Sequence, residues 1–420
     1  MTDGRPADRF LTGGVVLLFA CVSLVPYRFL ASDLPFGSLV NYLPLALTMI
    51  LVGIVILFRR EIFLTMLKKD VLLGAIVALV AADLLAAIGG VNSMHSTSRS
   101  VYYFLTGPLM YWVVGYAFLK EGNARLLITM ISAFSGLAAL YGISEYANGG
   151  SWLFQSALSI ANPKYAAATG GAEFTGRILG TLGHPVAFGA FLLLSLPASL
   201  YLARSRSRAR PLGVCAAGAT VVAIALTFSR GAWISLAVAA AAWVAMRPRA
   251  HGRAIVWRVM LVSMFLAVGV SLTLSTRGTY SQYIQNYDKN PRILAYVYSA
   301  ILLPEHLVAG SGTGTFRWLG KSLGSRLDAA DSMYLTRLIE GGVLGLATFL
   351  YLLERIYNCL ATSSRQRGQI RASVLSPLFL AVLLGVAVDM MTFDLLSWPA
   401  TRSWFWIQVA IAVGVAQEQV

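Results

Sequence analysis

Charge is what this chain has least of. Only 12% of its 420 residues are Asp, Glu, Lys or Arg, against roughly 25% in ordinary soluble domains. Such a chain has too few charged groups to keep a large surface in water. With 57% hydrophobic residues it reads as an integral membrane protein with no room for a separate soluble domain. Cysteine is nearly absent. Cys21, Cys215 and Cys359 lie far apart inside apolar windows, which argues against a disulfide framework or a metal cluster and predicts small core hydrophobes. Histidine is scarce too, and His95 and His306 show no metal-ligand spacing with acids, so no metal or other cofactor is implied. No small-residue cleavage site follows the first apolar run, which is therefore expected to be a first span rather than a removed leader.

Apolar windows fall at 10–27, 37–58, 71–90, 101–119, 126–146, 185–203, 212–228, 231–246, 259–275, 342–360, 372–393 and 403–417. A span takes about 20 residues, so these predict about twelve transmembrane helices in a single polytopic domain, 1–420, with both termini on one side. Most of the 33 basic residues then fall in short loops and span ends on that side. Arg204, Arg206, Arg208 and Arg210 form the densest run. Short loops rich in Lys and Arg resist translocation, so the termini are expected in the cytoplasm and two long loops, 147–184 and 276–341, outside. The net charge of +15 is accounted for by this asymmetry and by attraction to anionic membrane lipid, with no nucleic acid required. A GxGxG run at Gly310, Gly312 and Gly314 has no strand-turn-helix setting and no following Lys-Ser/Thr; it predicts a tight turn folding the outer loop back onto the membrane.

Several cations fall on the outer side, against that asymmetry. Arg230 lies in Thr227-Phe228-Ser229-Arg230-Gly231-Ala232-Trp233, the whole connection between two spans. Arg177 precedes Ile178-Leu179-Gly180-Thr181-Leu182-Gly183-His184-Pro185, and Arg292 opens an amphiphilic stretch. Each alone is equally readable as a snorkelling anchor or a solvated charge. Together they predict a pocket for a phosphorylated ligand, because guanidinium matches phosphate oxygens in a bidentate way and stays charged. The acids collect at Asp331-Ser332-Met333-Tyr334-Leu335-Thr336-Arg337-Leu338-Ile339-Glu340, where Asp331 is either functional or a helix cap and Arg337 and Glu340 are either functional or an ion pair. Asp83 and Asp389 lie inside spans, where an acid is a functional hypothesis or a helix-helix hydrogen bond. Asp394, Trp398 and Arg402 border the last outer turn.

With Arg177-Ile178-Leu179-Gly180-Thr181, Ser229-Arg230-Gly231, Arg292, Gly310-Ser311-Gly312-Thr313-Gly314, Asp331-Ser332 and Glu340-Gly341-Gly342 in this order, the chain resembles the O-antigen ligase and polymerase superfamily over roughly 170–360. These are bacterial multi-span glycosyltransferases acting on undecaprenyl-diphosphate-linked glycans. The resemblance implies an all-α, GT-C-like protein of the bacterial inner membrane with a periplasmic site. It implies transfer of glycan to a sugar hydroxyl of a lipid-linked acceptor, metal-independent and with inversion. Polysaccharide export or chain-length proteins are the further partners it implies. Under it Arg177, Arg230 and Arg292 hold the departing diphosphate. Asp331, with Glu340 and His184 behind it, takes or shares the acceptor's proton, and Tyr334, Arg337 and His184 hold the acceptor sugar. A free Asp, with a pKa near 3.9, is a weak base unless burial or a neighbouring acid raises it. Ligases of the superfamily carry His-Asn where this chain has Asp331-Ser332, which turns the expectation from lipid A core ligation toward polymerisation of O-antigen, capsule or exopolysaccharide repeats. A lipid-oligosaccharide flippase is the rival from another class, and a non-catalytic export scaffold a third. The absence of similarity between the halves and the long outer loop weigh against a carrier.

Overall fold

The computed structural model describes residues 6–24, 42–118, 123–150, 176–246, 303–316, 318–319, 330–365 and 375–417. These residues form α-helices and two short 3-10 turns, with no strand among them. In chain order the helices are α1 (Pro6–Leu24), α2 (Leu43–Lys69), α3 (Leu73–Ile88), α4 (Ser93–Thr106), α5 (Pro108–Phe118) and α6 (Asn123–Ala147), followed by α7 (Pro185–Arg204), α8 (Arg210–Leu226), α9 (Arg230–Ala245), α10 (Met333–Arg365), α11 (Leu375–Asp389) and α12 (Pro399–Gln417). Proline opens several of them, at Pro108, Pro185 and Pro399. That position has no intrahelical hydrogen bond to lose and suits the fixed φ of proline.

Four helices are long and apolar enough to cross a membrane, Leu43–Lys69, Ala124–Ala147, Pro185–Arg204 and Met333–Ser363, and five more are shorter but apolar. α2 turns large side chains outward, Leu57 at 78% and Phe58 at 63% exposed, an arrangement suited to lipid and not to water. α7 and α12 do the opposite and are buried nearly all round. They meet where the Trp404 indole donates to Ser195 Oγ at 2.7 Å, with Phe19 and Phe191 packed against the same indole. α9 lies against α11 through small residues. A Cβ on Gly385 would collide with the Ser235 carbonyl and stand 3.1 Å from Ala239, so the helices approach at backbone distance, as small-residue seams permit where lipid supplies no hydrophobic drive.

The apolar windows differ from the helices in three places, and one cysteine differs from its expected burial. The predicted span 101–119 is two helices, because Gly107 and Pro108 interrupt it and α4 begins in the polar run from Ser93; Pro108 removes a backbone donor and clashes with the preceding turn. α2 runs on past its window through Arg59, where a single non-helical residue (φ −143°) kinks it, to Lys69. α10 begins at Met333, inside the stretch predicted as outer loop, and is broken at Gly342 (φ 66°, ψ −166°). Cys215 is exposed on α8 rather than packed in the core, while Cys21 is buried and Cys359 half-buried. The predicted span at 259–275 and Arg292 lie outside the described residues.

Candidate active site

The connections expected on the outer side gather at one end of the bundle, and their hub is the turn 389–398 between α11 and α12. From α10, the Met333 amide donates to the Met390 carbonyl at 2.8 Å, which seats Asp331 and Ser332 beside that turn. From α9, Gly231 packs so closely that a Cβ there would stand 2.6 Å from Thr392 Oγ1 and 2.9 Å from Asp389 Oδ1; Arg230 is the preceding residue. From the connection before α7, His184 packs on Trp398 with ring centroids 4.8 Å apart and the planes tilted by 38°. In that connection Arg177 Nε donates to the Thr227 carbonyl at 2.9 Å. Thr227 is three residues before Arg230, so at most about 11 Å of extended chain separates them. The structure thus brings His184 and the segments bearing Arg230 and Asp331 to this turn, with Arg177 joined to the chain just before Arg230 at Thr227.

Local sequence explains each placement. Glu145, buried at the end of α6, accepts the Leu179 and Gly180 amides at 3.0 and 2.7 Å, pinning the segment that carries Arg177. His184 caps α7 through Nδ1, which accepts the Ala187 amide at 3.4 Å. Ser229 caps α9, and Thr227 Oγ1 accepts the Ser229 amide, so Arg230 leaves the first position of α9 exposed. Asp331 is exposed as well, and it is not the cap of α10: Ser332 Oγ accepts the Leu335 amide at 3.5 Å and takes that role. Tyr334 donates its hydroxyl to the Ala387 carbonyl at 2.8 Å, tying α10 to α11.

Two non-glycine residues among those described have positive φ, Phe228 (48°) and Asp331 (52°). Left-handed backbone is uncommon for a bulky side chain and easier for Asp. One lies two residues before Arg230, the other is the acid itself, so strain coincides with the cation and the carboxylate singled out from sequence. Such strain persists where the surroundings over-determine it, often at functional sites.

Arg337 and Glu340 face inward and are not partners in an ion pair with each other. Arg337 Nη1 donates to both oxygens of Asp83 at 2.7 and 3.0 Å, and both side chains are buried. Glu340 accepts the amides of Gly314 and Phe316 at 2.8 and 3.2 Å. The GxGxG run is thereby wrapped around a carboxylate, and it does more. The break at Gly342 frees backbone groups of α10, and the loop takes them up. Ser311 and Gly312 donate to the Ile339 and Glu340 carbonyls at 2.9 Å, and Val343 donates to the Leu307 carbonyl at 2.8 Å. On its other side the Ser311 carbonyl receives the Val91 amide, and a Cβ on Gly312 (φ 103°) would strike Ser96. Backbone polar groups inside a membrane must find such partners.

Sequence reasoning left the inner layer of this site without connections. Asp394 is buried and accepts hydroxyl hydrogen bonds from Thr336 at 2.7 Å and Ser397 at 2.6 Å; burial holds its carboxyl above the usual range against those bonds and the nearby Arg337. Arg402, 1% exposed, donates to Thr106 Oγ1 and to the Leu396 carbonyl. Only their position bordering the last outer turn pointed toward these groups, and that signal names no partner. No group of three His, Cys, Asp or Glu able to hold a metal occurs among the described residues.

No curated protein matches the chain. A family model described as O-antigen ligase matches residues 215–350, a segment that contains Arg230, Asp331, Tyr334, Arg337 and Glu340 but ends short of Arg177 and His184 on the N-terminal side. Over this third of its length the chain is similar to the O-antigen ligase family.

Proposed function

We propose that the protein is a membrane glycosyltransferase that extends a polysaccharide, passing glycan from undecaprenyl diphosphate to a sugar hydroxyl of a lipid-linked acceptor on the periplasmic side. The observation that supports this reading is that the segments bearing Arg230 and Asp331 both pack on the turn 389–398, with Arg177 bonded to Thr227 three residues before Arg230, within and beside the segment that matches the O-antigen ligase model. In the proposed reaction the acceptor hydroxyl attacks the anomeric carbon on the face opposite the diphosphate. The new C–O bond forms as the old one breaks, its electron pair leaves on the diphosphate, and the configuration inverts. Arg177 and Arg230, with Arg292 as a third, offset the charge growing on that leaving group. Asp331 is exposed, so its first role is to orient the acceptor hydroxyl, whose proton leaves to solvent as the bond forms. His184 and Tyr334 flank the acceptor, and Glu340 supports the floor of the site.

The second reading is transfer to lipid A core, which the same O-antigen ligase match accommodates. Purified protein is incubated with lipid-linked repeat units, without nucleotide and with a chelator. Polymerisation predicts longer glycans on the lipid, and Arg230→Ala and Asp331→Ala each slow the growth by roughly 100-fold or more. Growth unchanged in both variants removes the residue assignment. A product that forms only when lipid A core is added selects ligation, and movement of intact substrate between leaflets without a new glycosidic bond selects a flippase.

A further inference from the structure

Beneath the turn 389–398 lies a cavity of about 20 Å³ enclosed by α3, α4, α10 and α12, which the transfer chemistry above does not use. Two guanidinium groups line it. Arg337 is paired through Nη1 with Asp83, which also lines the cavity, and its Nε has no hydrogen-bond partner. Arg402 is more exceptional: its Nη2 has no partner, its other two nitrogens meet only a hydroxyl and a carbonyl, and the rings of Tyr103 and Tyr102 lie 4.1 and 4.9 Å from it. Asp83 pairs with Arg337, and the buried acids Glu340 and Asp394 belong to the same layer but bond to the Gly314 and Phe316 amides and to the Thr336 and Ser397 hydroxyls, so Arg402 is left with no ion-pair partner among the described residues. Arg99, exposed and one turn from Tyr103 on the same face of α4, adds a positive charge close enough to act on Arg402 as a like charge. A cation buried without a counter-charge is costly, and an oxyanion supplies what is missing. Leu79, Val80, Phe104 and Trp406 make most of the remaining wall apolar, with the Ser100 hydroxyl as its polar member. Space for one or two oxygen-sized atoms excludes a sugar and a lipid tail and admits the edge of a phosphate group.

We infer that this cavity is a second phosphate subsite, separate from Arg177 and Arg230, which takes one phosphate edge of the lipid that carries the acceptor glycan, with its sugar and tail outside the cavity. This rests on the polymerase reading, in which donor and acceptor are both lipid-linked; transfer to a core sugar involves one lipid diphosphate, chain growth two.

The test measures binding of labelled farnesyl diphosphate to the full-length protein in nanodiscs. Wild type is expected to bind two equivalents. Arg230→Ala removes one. Arg402→Gln weakens the other more than tenfold, and so does Val80→Phe, which fills the cavity from its half-buried wall and leaves the Arg402 hydrogen bonds in place should the glutamine variant not fold. A single equivalent in wild type, water alone in the cavity, or unchanged binding in Val80→Phe overturns the inference. Inorganic pyrophosphate that binds in the Arg402-dependent site as tightly as farnesyl diphosphate overturns the lipid source. Glycan growth with no Arg402-dependent equivalent leaves the transfer reading standing without this site. An Arg402-dependent equivalent in a protein that never extends glycan leaves the site standing without that reading.

Discussion

At the scale of single residues, the central fact is that the charges of the polar turn divide between two layers. Asp331 and Arg230 stay exposed, while Arg337 and Glu340 turn inward to Asp83 and to a loop backbone. The Arg337–Asp83 pair is buried, and removing one member of such a pair leaves an uncompensated charge at a cost of about 3–5 kcal/mol. Asp83→Ala is therefore expected to lower the thermal stability of the detergent-solubilised protein by that order. Asp83→Leu combined with Arg337→Met should recover most of the loss, because it removes both charges together. If the double variant is as unstable as Asp83→Ala, the pair is not what Asp83 contributes. This layer was hard to read in sequence for a physical reason. Asp83 and Arg337 are 254 positions apart, and a pair made through folding leaves no local pattern. The exposed layer was more legible: a cation in a connection of a few residues, or an acid before a helix, stands out by its position along the chain.

At the scale of elements, hydropathy located most helices because a membrane span needs a long apolar run whatever its neighbours are. It failed for α4, whose polar first turns, Ser93 to Ser98, pack against the GxGxG loop and not against lipid. It also passed over the break in α10. Gly342 combines φ 66° with ψ −166°, a region essentially reserved for glycine, and a Cβ there would strike the Val308 carbonyl. Gly342→Ala is expected to cost about 1–3 kcal/mol from backbone strain alone and to detach the 307–312 segment from α10. Hydrogen exchange at Ser311, Gly312 and Val343 should accelerate accordingly. Gly341→Ala is the matched control, since its Cβ would meet nothing within 4 Å and alanine is the better helix former. Equal exchange in the two variants would show that the break does not hold the loop.

At the scale of the whole molecule, the arrangement depends on orientation. Starting at Pro185, α7 carries the chain over 20 residues, about 30 Å at 1.5 Å each, from the turn that bears His184 to the basic run at Arg204. The candidate site and that run therefore lie at opposite ends of the bundle, about one bilayer core apart. Short basic loops resist translocation, so Arg208 is expected in the cytoplasm and the cluster around Asp331 outside, where a lipid-linked glycan already carried across the membrane would be met. Single-cysteine probes test this in a background with Cys21, Cys215 and Cys359 replaced by alanine. Val308, 66% exposed beside the α10 break, reports one end, and Arg208, exposed in the basic run, reports the other. A membrane-impermeant maleimide should label Val308→Cys in cells whose inner membrane is intact and label Arg208→Cys only after that membrane is opened. The reverse pattern would put Arg177, Arg230 and Asp331 on the cytoplasmic side, and the proposed periplasmic transfer would fall with the orientation.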